Sequence, residues 1–236
     1  NLHLALNLCQ NNMIFCTLSI GEDWCKKYSN KIDNIGKLHE VYVYTDFGEY
    51  FPNCNIIKYT RNDFSYFEKL VLLFEVMSKH KKRVTYFDCD STEEPKLQMI
   101  LNNLHNPFDK ESIYTYSIFP NEDFAHSLIV RNPSFVVLME VHKQLGFENF
   151  VCDYTHERIL SIPYISNKFK ILKENVLSVQ SIWETNWPKG KKWEGTHECN
   201  KWSQIGCGYG EGGALSLYAK KLEIKLKEIS PRTTLI

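Results

Sequence analysis

The first part of the chain alternates between short apolar runs and longer segments in which apolar residues recur every three or four positions. The short runs are rich in β-branched and aromatic residues and end in small or acidic side chains, a pattern typical of buried strands. Such runs predict four strands, at residues 13–21, 40–46, 54–60 and 83–88.

The segments between these strands predict two helices. Residues 22–36 are largely polar and end in Gly36, a residue type that often closes a helix. Residues 63–82 place apolar side chains along one helical stripe, as expected of a helix that packs on a sheet. The stripe consists of Phe67, Leu70, Val71, Phe74 and Met77.

The second half of the chain has a less regular pattern. Residues 112–119 and 125–134 are predicted to be strands, and residues 135–146 a helix closed by Gly146. A further helix is predicted to begin within residues 152–160, and short strands within residues 168–179.

The last part of the chain is predicted to be a long loop and a helix. Residues 183–213 are rich in Trp, Gly and Lys, and a loop of this length is often functional. Residues 214–229 predict a terminal helix, in which Glu223 and Lys227 would lie one turn apart.

The order of these elements predicts one α/β domain over residues 1–236. Strands that alternate with helices indicate a Rossmann-type mixed sheet, mostly parallel and flanked by helices, with a loop-rich C-terminal part and a terminal helix. In such sheets ligands bind beyond the carboxyl ends of the strands. Asp46, Asp88 and Asp90 all fall at such ends.

Composition narrows the class of protein. The chain has no net formal charge, which argues against a nucleic-acid-binding protein. No apolar window approaches the roughly 20 residues that a membrane helix needs. The eight cysteines form no Cys-x-x-Cys pair, and a zinc site using His197, Cys199 and Cys207 matches no common spacing. Free cysteines and the lack of a signal-peptide pattern favour a cytoplasmic enzyme of a bacterium or a virus, with a trimmed lumenal domain as the alternative.

The acid pair after the fourth strand, in the stretch RVTYFDCDST, is the main candidate site. One interpretation is a phosphatase of the haloacid-dehalogenase type, in which Asp88 is the nucleophile, Asp90 the acid/base and Thr92 a neighbour. That chemistry needs a second acidic cluster to complete its Mg²⁺ site, and no such cluster follows in the sequence.

The other interpretation is a site for a nucleoside diphosphate. Hard divalent cations such as Mg²⁺ and Mn²⁺ prefer oxygen ligands and can bridge two phosphates. Two carboxylates at positions i and i+2 of a strand end can turn into one site, with one acid on the metal and the other on the metal, ribose or sugar.

The stretch from residue 64 to 92 resembles the segment of GT-A glycosyltransferases that leads into their Asp-x-Asp pair, with Lys69 near the start of the helix. The resemblance implies a GT-A-like fold, with residues 13–92 as the nucleotide-binding half and 93–236 as the acceptor-binding half. It implies a metal, Mn²⁺ or Mg²⁺, on Asp88 and Asp90, and a UDP-sugar donor. The turn at Leu18 and Ser19, together with Asp46, would face the nucleotide.

Late segments extend this resemblance. The stretch THECNKW is similar to the His-containing loop of glycogenin-like transferases, which makes His197 a candidate third metal ligand and Lys201 a candidate partner of the diphosphate. Residues 151–172 resemble the acidic helix start of such enzymes. Asp153 and Glu157, four residues apart, would share a helix face, and one could act as a general base on the acceptor.

The Gly-rich segment at residues 206–213 offers another catalytic candidate, Glu211. Its glycines match the dinucleotide fingerprint Gly-x-Gly-x-x-Gly, but no strand carrying an acid follows, so a turn entering a helix is the better interpretation. Four tryptophans precede it and could stack on sugar rings of an acceptor glycan or pack the loop onto the body. They are Trp183, Trp187, Trp193 and Trp202.

Together these features predict a metal-dependent glycosyltransferase, hexosyltransferase-like, that moves a sugar from a nucleoside diphosphate to a hydroxyl acceptor such as a glycan. The alternatives are the phosphatase already mentioned, a non-catalytic glycan-binding module built on the Trp-rich loop, and a related nucleotidyltransferase. The nucleotidyltransferase would bind a nucleoside triphosphate through a metal held in the same way.

Overall fold

The computed structural model describes residues 14–60, 68–93, 110–119, 155–186, 215 and 218–228. Within these residues the chain forms seven strands and three α-helices, and residues 218–221 are helical as well. The strands are β1 (Ile14–Leu18), β2 (Glu40–Thr45), β3 (Asn55–Lys58), β4 (Val84–Phe87), β5 (Ile113–Phe119), β6 (Thr155–Ile162) and β7 (Leu226–Glu228). The helices are α1 (Glu22–Gly36), α2 (Glu68–His80) and α3 (Ser166–Asn186), and short 3₁₀ helices cover Gly48–Tyr50 and Cys89–Glu93.

All seven strands belong to one sheet, in the order β3-β2-β1-β4-β6-β5-β7. The pairs β2–β3, β1–β2, β1–β4 and β5–β7 are parallel. Only β6 runs the other way, antiparallel to both β4 and β5. The predicted architecture, a mixed α/β sheet that is mostly parallel and flanked by helices, is confirmed.

Helix α1 covers one face of the sheet. Its buried side chains recur at helical spacing, at Cys25, Tyr28, Ile32 and Ile35. They pack against a face of the sheet that includes Phe15, Val41, Val43, Phe87 and Ile159. Burial of this apolar surface holds α1 in place, although its outer side is polar.

Helices α2 and α3 cover the opposite face. The buried side chains of α2 form a wider stripe than the sequence predicts, because Leu72, Leu73 and Val76 are buried as well. Phe74 lies at the centre of this layer, fully buried, with its ring 6.0 Å from that of Phe169 on α3. The sheet is therefore the middle of three layers.

Two predictions for the second half are wrong. Residues 155–162 form strand β6 and not the start of a helix. Ile159 is buried on the α1 face and Leu160 on the other, so the strand is covered on both sides at residues 159–160. The segment predicted to hold short strands lies in helix α3, where Phe169, Leu172 and Val176 meet the core at helical spacing.

The prediction of a terminal helix is wrong at its C-terminal end. Residues 218–221 are helical, but the helix stops at Glu223, which has a φ of 54°. The amide of Ile224 donates to the carbonyl of Ala219 at 2.8 Å, and that of Glu223 donates to Lys220 at 3.0 Å, as in a Schellman cap. The following residues alternate apolar and basic, and they pair as β7 with β5. Lys227 therefore lies on a strand, not one helical turn from Glu223.

Several of the remaining predicted elements lie partly or wholly outside the described residues. The predicted strand at 125–134 and helix at 135–146 lie outside the described residues. The predicted loop at 183–213 begins too early, since α3 continues to Asn186, and its remainder also lies outside them. Among the described helices, none is long and apolar enough to cross a membrane.

Candidate active site at the strand ends

The C-terminal ends of the parallel strands β1, β2 and β4 lie along the same side of the sheet, which we call the carboxyl edge. Asp46 follows β2 directly, and Asp88 follows β4. Helix α2 ends at the opposite edge, because His80 lies 2.7 Å from the hydroxyl of Tyr42, near the start of β2. Its first turn, with Lys69, therefore lies toward the carboxyl edge.

The turn between β1 and α1 is joined to the end of β2 by two hydrogen bonds. The amide of Ser19 donates to the carbonyl of Tyr44 at 3.1 Å. The amide of Gly21 donates to Oδ1 of Asp46 at 2.9 Å. Gly21 has a φ of 87° and a ψ of 140°, a conformation that essentially only glycine adopts without strain. Asp46 is exposed, and its hydrogen bond with Gly21 holds the β1–α1 turn against the end of β2.

A buried network lies beneath this turn. The thiol of Cys25 donates to the carbonyl of Ser19 at 3.2 Å and lies 3.3 Å from the hydroxyl of Thr45. The hydroxyl of Ser19 donates to the same sulfur at 3.4 Å. Burial raises the pKa of Cys25, so the sulfur remains a neutral thiol near pH 7. Sequence analysis assigned no role to Cys25 or Thr45, because a cysteine in an apolar pattern resembles any small core residue.

The acid pair sits in a tight turn. The amide of Ser91 donates to the main-chain carbonyl of Asp88 at 2.9 Å, which starts the 3₁₀ helix. Asp88 and Asp90 are both half-buried. The hydroxyl of Tyr86 donates to Oδ1 of Asp88 at 2.8 Å. This phenol is a part of the site that the sequence did not reveal.

Burial determines the protonation of the groups around the pair. Desolvation raises the pKa of Tyr86 well above its usual range, and the charge of Asp88 raises it further. Desolvation likewise raises the pKa of Cys89, again with help from the two acids. Both groups therefore stay protonated at neutral pH, so Tyr86 is a donor and Cys89 does not compete as a thiolate ligand.

The residues at this turn fit a hard divalent cation in their chemistry. Asp88 and Asp90 supply carboxylate oxygens. The hydroxyl of Ser91 is buried and has no hydrogen-bond partner among the described residues, so it offers a further oxygen. The described residues contain no group of three His, Cys, Asp or Glu side chains that would hold a metal. The predicted third ligand, His197, lies outside them.

The other predicted nucleotide-binding residues are buried near the carboxyl edge. Leu18 packs its side chain into the core shared with α2, which leaves its main chain as the part able to face a ligand. Ser19 is buried in the Cys25 network. Lys69 is buried in the first turn of α2.

The main chain of Glu157 lies at the carboxyl edge on strand β6, whereas the sequence predicted a helix there. Ile159 on β6 pairs with Phe87, the last residue of β4, and β6 runs antiparallel to β4. Glu157 is two residues closer to the start of β6 and pairs with Ser117 of β5. Its main chain therefore lies beside the Asp88 turn. The prediction that Asp153 and Glu157 share a helix face is wrong, because Glu157 is on a strand.

Other predicted site residues cannot be placed, because they lie outside the described residues. They are Asp153, Trp187, Trp193, His197, Lys201, Trp202 and Glu211.

Comparison with known proteins gives likeness in structure only. No family model matches the chain, and no curated protein matches its sequence. The glycosyltransferase GlyE of Streptococcus pneumoniae TIGR4 is similar with a TM-score of 0.45 and 8% identity, over 93% of this chain and 45% of that one. Mouse xyloside xylosyltransferase 1 is similar with a TM-score of 0.43 and 8% identity, over 93% and 85%. A provisionally assigned nucleotide-diphospho-sugar transferase from Desulfovibrio desulfuricans G20 has a TM-score of 0.41 and 7% identity, over 93% and 80%.

Proposed function

We propose that this protein is a metal-dependent glycosyltransferase that moves a hexose or similar sugar from UDP to a hydroxyl acceptor, such as a glycan. The observation that carries the proposal is the turn at Asp88 and Asp90, at the carboxyl end of central strand β4. It lies on the same edge as Asp46 and the β1–α1 turn. Carboxylates in this position suit a cation that holds a diphosphate.

Charge around the turn supports the need for a cation. The N-terminus of α1 would ordinarily favour an anion, but Glu22 and Asp23 occupy its first turn. Lys26 lies 2.7 Å from Glu22 and lowers the pKa of that carboxyl, so Glu22 stays charged. A diphosphate at the carboxyl edge would therefore approach several carboxylates, and a bound metal would offset their negative charge.

Asp88 and Asp90 would hold Mn²⁺ or Mg²⁺, with His197 as the proposed third ligand. The bound metal would offset the negative charge that develops on the leaving diphosphate. Asp46 and the main chain at Leu18 and Ser19 would position the nucleotide.

The group transfer would need a base beside the acceptor. In an inverting reaction the base takes the proton of the acceptor hydroxyl as its oxygen bonds to the anomeric carbon. The bond from that carbon to the diphosphate breaks, and the diphosphate keeps the electron pair. Glu157 is the proposed base, because its main chain lies beside the Asp88 turn. Asp153 and Glu211 are the alternatives. Lys69 and Lys201 would contact the diphosphate.

Thermal unfolding with nucleotides tests this proposal. A ligand at a hundred times its Kd stabilises the native state by about 2.7 kcal/mol, which is about 5–10 °C for a chain of this size. We expect such a shift with UDP that requires Mn²⁺ and is lost in Asp90→Ala. The matched control is Glu174→Ala, an exposed acid on α3 that should retain the shift.

Other outcomes would contradict the proposal. A shift with GDP alone would change the donor base. A shift only with a nucleoside triphosphate would favour the nucleotidyltransferase, and metal-dependent hydrolysis of a simple phosphate ester would favour the phosphatase. No shift with any nucleotide, together with binding to glycans that survives Asp90→Ala, would favour the glycan-binding module.

A further inference from the structure

The edge of the sheet opposite the candidate site, which we call the amino edge, is rich in exposed lysines. Strands β1, β2, β4, β5 and β7 all begin there, because they run in the same direction. The segments that lead into four of these strands carry lysines with exposed side chains. They are Lys37 before β2, Lys79, Lys81 and Lys82 before β4, Lys110 before β5, and Lys225 before β7.

Hydrogen bonds hold the segments before β4, β5 and β7 next to one another. Nη2 of Arg83 donates to the main-chain carbonyl of Lys110 at 3.3 Å. The amide of Ile113, the first residue of β5, donates to the carbonyl of Lys225 at 2.8 Å. The lysines of these three segments therefore belong to one surface.

The same surface continues to β2. Nζ of Lys79 donates to the hydroxyl of Tyr42, on β2, at 3.2 Å and lies 5.0 Å from the centre of its ring. Neighbouring strands are about 4.8 Å apart, so the five spacings from β2 to β7 give the surface a length of about 24 Å.

Positive charge outweighs negative charge among the described residues of the amino edge. The acids described there are Glu40, Glu111 and Glu223. The carboxyl edge, in contrast, carries the acid pair and Asp46. Because the whole chain has no net formal charge, its charge is segregated between the two edges, and the amino edge would attract an anionic partner.

An exposed apolar side chain beside the lysines indicates which kind of anionic partner fits. Leu38, which is 77% exposed, lies in the turn between Lys37 and β2. The phosphates of a nucleic acid would leave this side chain in water, whereas a lipid bilayer can bury it at the boundary of headgroups and acyl chains. A bilayer is also continuous sideways, so it can meet cations that are spread over several turns.

We infer that the amino edge binds an anionic lipid surface, with the lysines against the headgroups and Leu38 inserted between them. This inference goes beyond the proposed function and does not depend on it. In this orientation the carboxyl edge, with the candidate site, faces away from the membrane.

Vesicle sedimentation tests the inference. Wild-type protein should bind vesicles in which about a third of the lipid is phosphatidylserine much more tightly than vesicles of phosphatidylcholine alone, because the attraction needs negatively charged lipid. Binding should weaken as the NaCl concentration rises from about 0.1 to 0.5 M, because salt screens exposed charges.

A triple variant, Lys81→Gln with Lys110→Gln and Lys225→Gln, removes three charges from the amino edge. Each lysine near an anionic bilayer strengthens binding about fivefold, so we expect a loss of about 100-fold. Glutamine is polar and flexible, so at these exposed positions the fold should be retained.

A matched triple variant changes the net charge equally near the carboxyl edge. It combines Lys26→Gln, Lys27→Gln and Lys58→Gln, which are exposed positions near the start of α1 and at the end of β3. The two edges are separated by the length of a strand, roughly 15 Å, which exceeds the screening length of about 10 Å at 0.1 M salt. This variant should bind within about threefold of wild type.

A second pair of variants tests the insertion of Leu38. Leu38→Gln should weaken binding to phosphatidylserine vesicles about tenfold, because its apolar surface would no longer leave water. Trp24→Gln is the control, since Trp24 is 49% exposed in the first turn of α1, toward the carboxyl edge. It should leave the affinity unchanged, and wild-type affinity in Leu38→Gln would overturn the insertion.

Several other outcomes would overturn the inference. They are no binding to phosphatidylserine vesicles, equal binding to both kinds of vesicle, and an equal loss in the two triple variants. Binding to polyuridylic acid or polyglutamate without binding to vesicles would assign the amino edge to a nucleic acid or an acidic protein instead. Because none of these measurements uses a nucleotide or the acid pair, their failure would leave the proposed function untouched.

Discussion

Asp33, on the inner side of α1, shows how one carboxylate can join two segments. Its two oxygens accept hydrogen bonds from the amide and side chain of Asn53, at 2.7 and 2.6 Å. Asp33 is buried, so these two bonds replace the water it would have in the unfolded chain. They fix the segment before β3 against the end of α1, and they bring a negative charge near the next residue, Cys54.

Cys54 should make the stability of the protein depend on pH in the alkaline range. Burial, followed by the charge of Asp33, raises its pKa to about 12. Below about pH 8.5 the thiol is protonated in both the folded and the unfolded chain. Between about pH 8.5 and 12 the unfolded chain loses this proton while the folded chain keeps it, so the free energy of unfolding falls as the pH rises.

Urea unfolding of wild type and Cys54→Ala at several pH values, with reductant present, measures this effect. The advantage of wild type over Cys54→Ala should be constant below about pH 8.5 and shrink towards pH 12. The variant should keep a shallower alkaline dependence, because burial also raises the pKa of Cys16 and Cys89. A difference that stays constant across this range would contradict the assignment.

At the scale of elements, Gly36 allows α1 and the segment before β3 to approach closely. A Cβ atom there would lie 2.7 Å from the carbonyl oxygen of Asn53 and 2.7 Å from the sulfur of Cys54. We expect Gly36→Ala to lower the free energy of unfolding by about 1–3 kcal/mol, since the main chain must move to relieve the contact. Denaturant unfolding measures it.

Asn30→Ala is the control for Gly36→Ala. Asn30 is exposed in the same helix, so this change should alter stability by less than about 0.5 kcal/mol. Equal stabilities of Gly36→Ala and wild type would show that the two segments can separate at little cost.

The elements that the sequence predicted correctly have one unambiguous pattern. The segments that became β1, β2 and β4 are rich in apolar, β-branched and aromatic residues, because both faces of these central strands are covered. Residues 159–162 are also covered on both faces, but the polar residues His156, Glu157 and Arg158 that precede them hide the strand pattern at the sequence level. The final strand, β7, is only three residues long and follows a helix directly, so periodicity alone could not separate the two.

The candidate site was predictable where it depends on strand ends and not where it depends on packing. Asp46 and Asp88 follow parallel strands, whose ends meet at one edge by geometry. The hydroxyl of Tyr86 was not predictable, because a tyrosine in an apolar run looks like any other core residue. The position of Glu157 depends on β6 pairing antiparallel with both β4 and β5. Such pairing between strands that are distant in sequence does not follow from the local residue pattern.

At the scale of the whole molecule, one sheet separates two apolar layers. Phe15 and Phe87 belong to the layer under α1, whereas Cys16 and Tyr86, their neighbours in sequence, belong to the layer under α2 and α3. Loss of either layer would expose the other side of the same strands. The described part of the chain should therefore unfold as a unit.

Phe74→Ala tests this coupling. Phe74 is fully buried between the sheet and α3, so its truncation should lower the free energy of unfolding by about 3–5 kcal/mol. Urea transitions followed by far-ultraviolet circular dichroism and by tryptophan fluorescence should shift together. Ile171→Ala on α3, where the side chain is 47% exposed, should cost less than about 1 kcal/mol. Two separate transitions in Phe74→Ala would show that the layers are independent.

The position of β6 has a consequence for the order in which the chain can be assembled during synthesis. Strands β1 to β4 emerge from the ribosome first, and β5 follows, but β5 has no place beside β4 until β6 arrives between them. Roughly 75 residues separate the end of β4 from the end of β6, so at 5–20 residues per second the nascent sheet waits about 4–15 s with one side of β4 unpaired. During that interval β4, the apolar strand that precedes the acid pair, is open to strands of other chains. A chaperone that covers the unpaired side of β4 on the ribosome would therefore protect the same segment that later leads into the candidate active site.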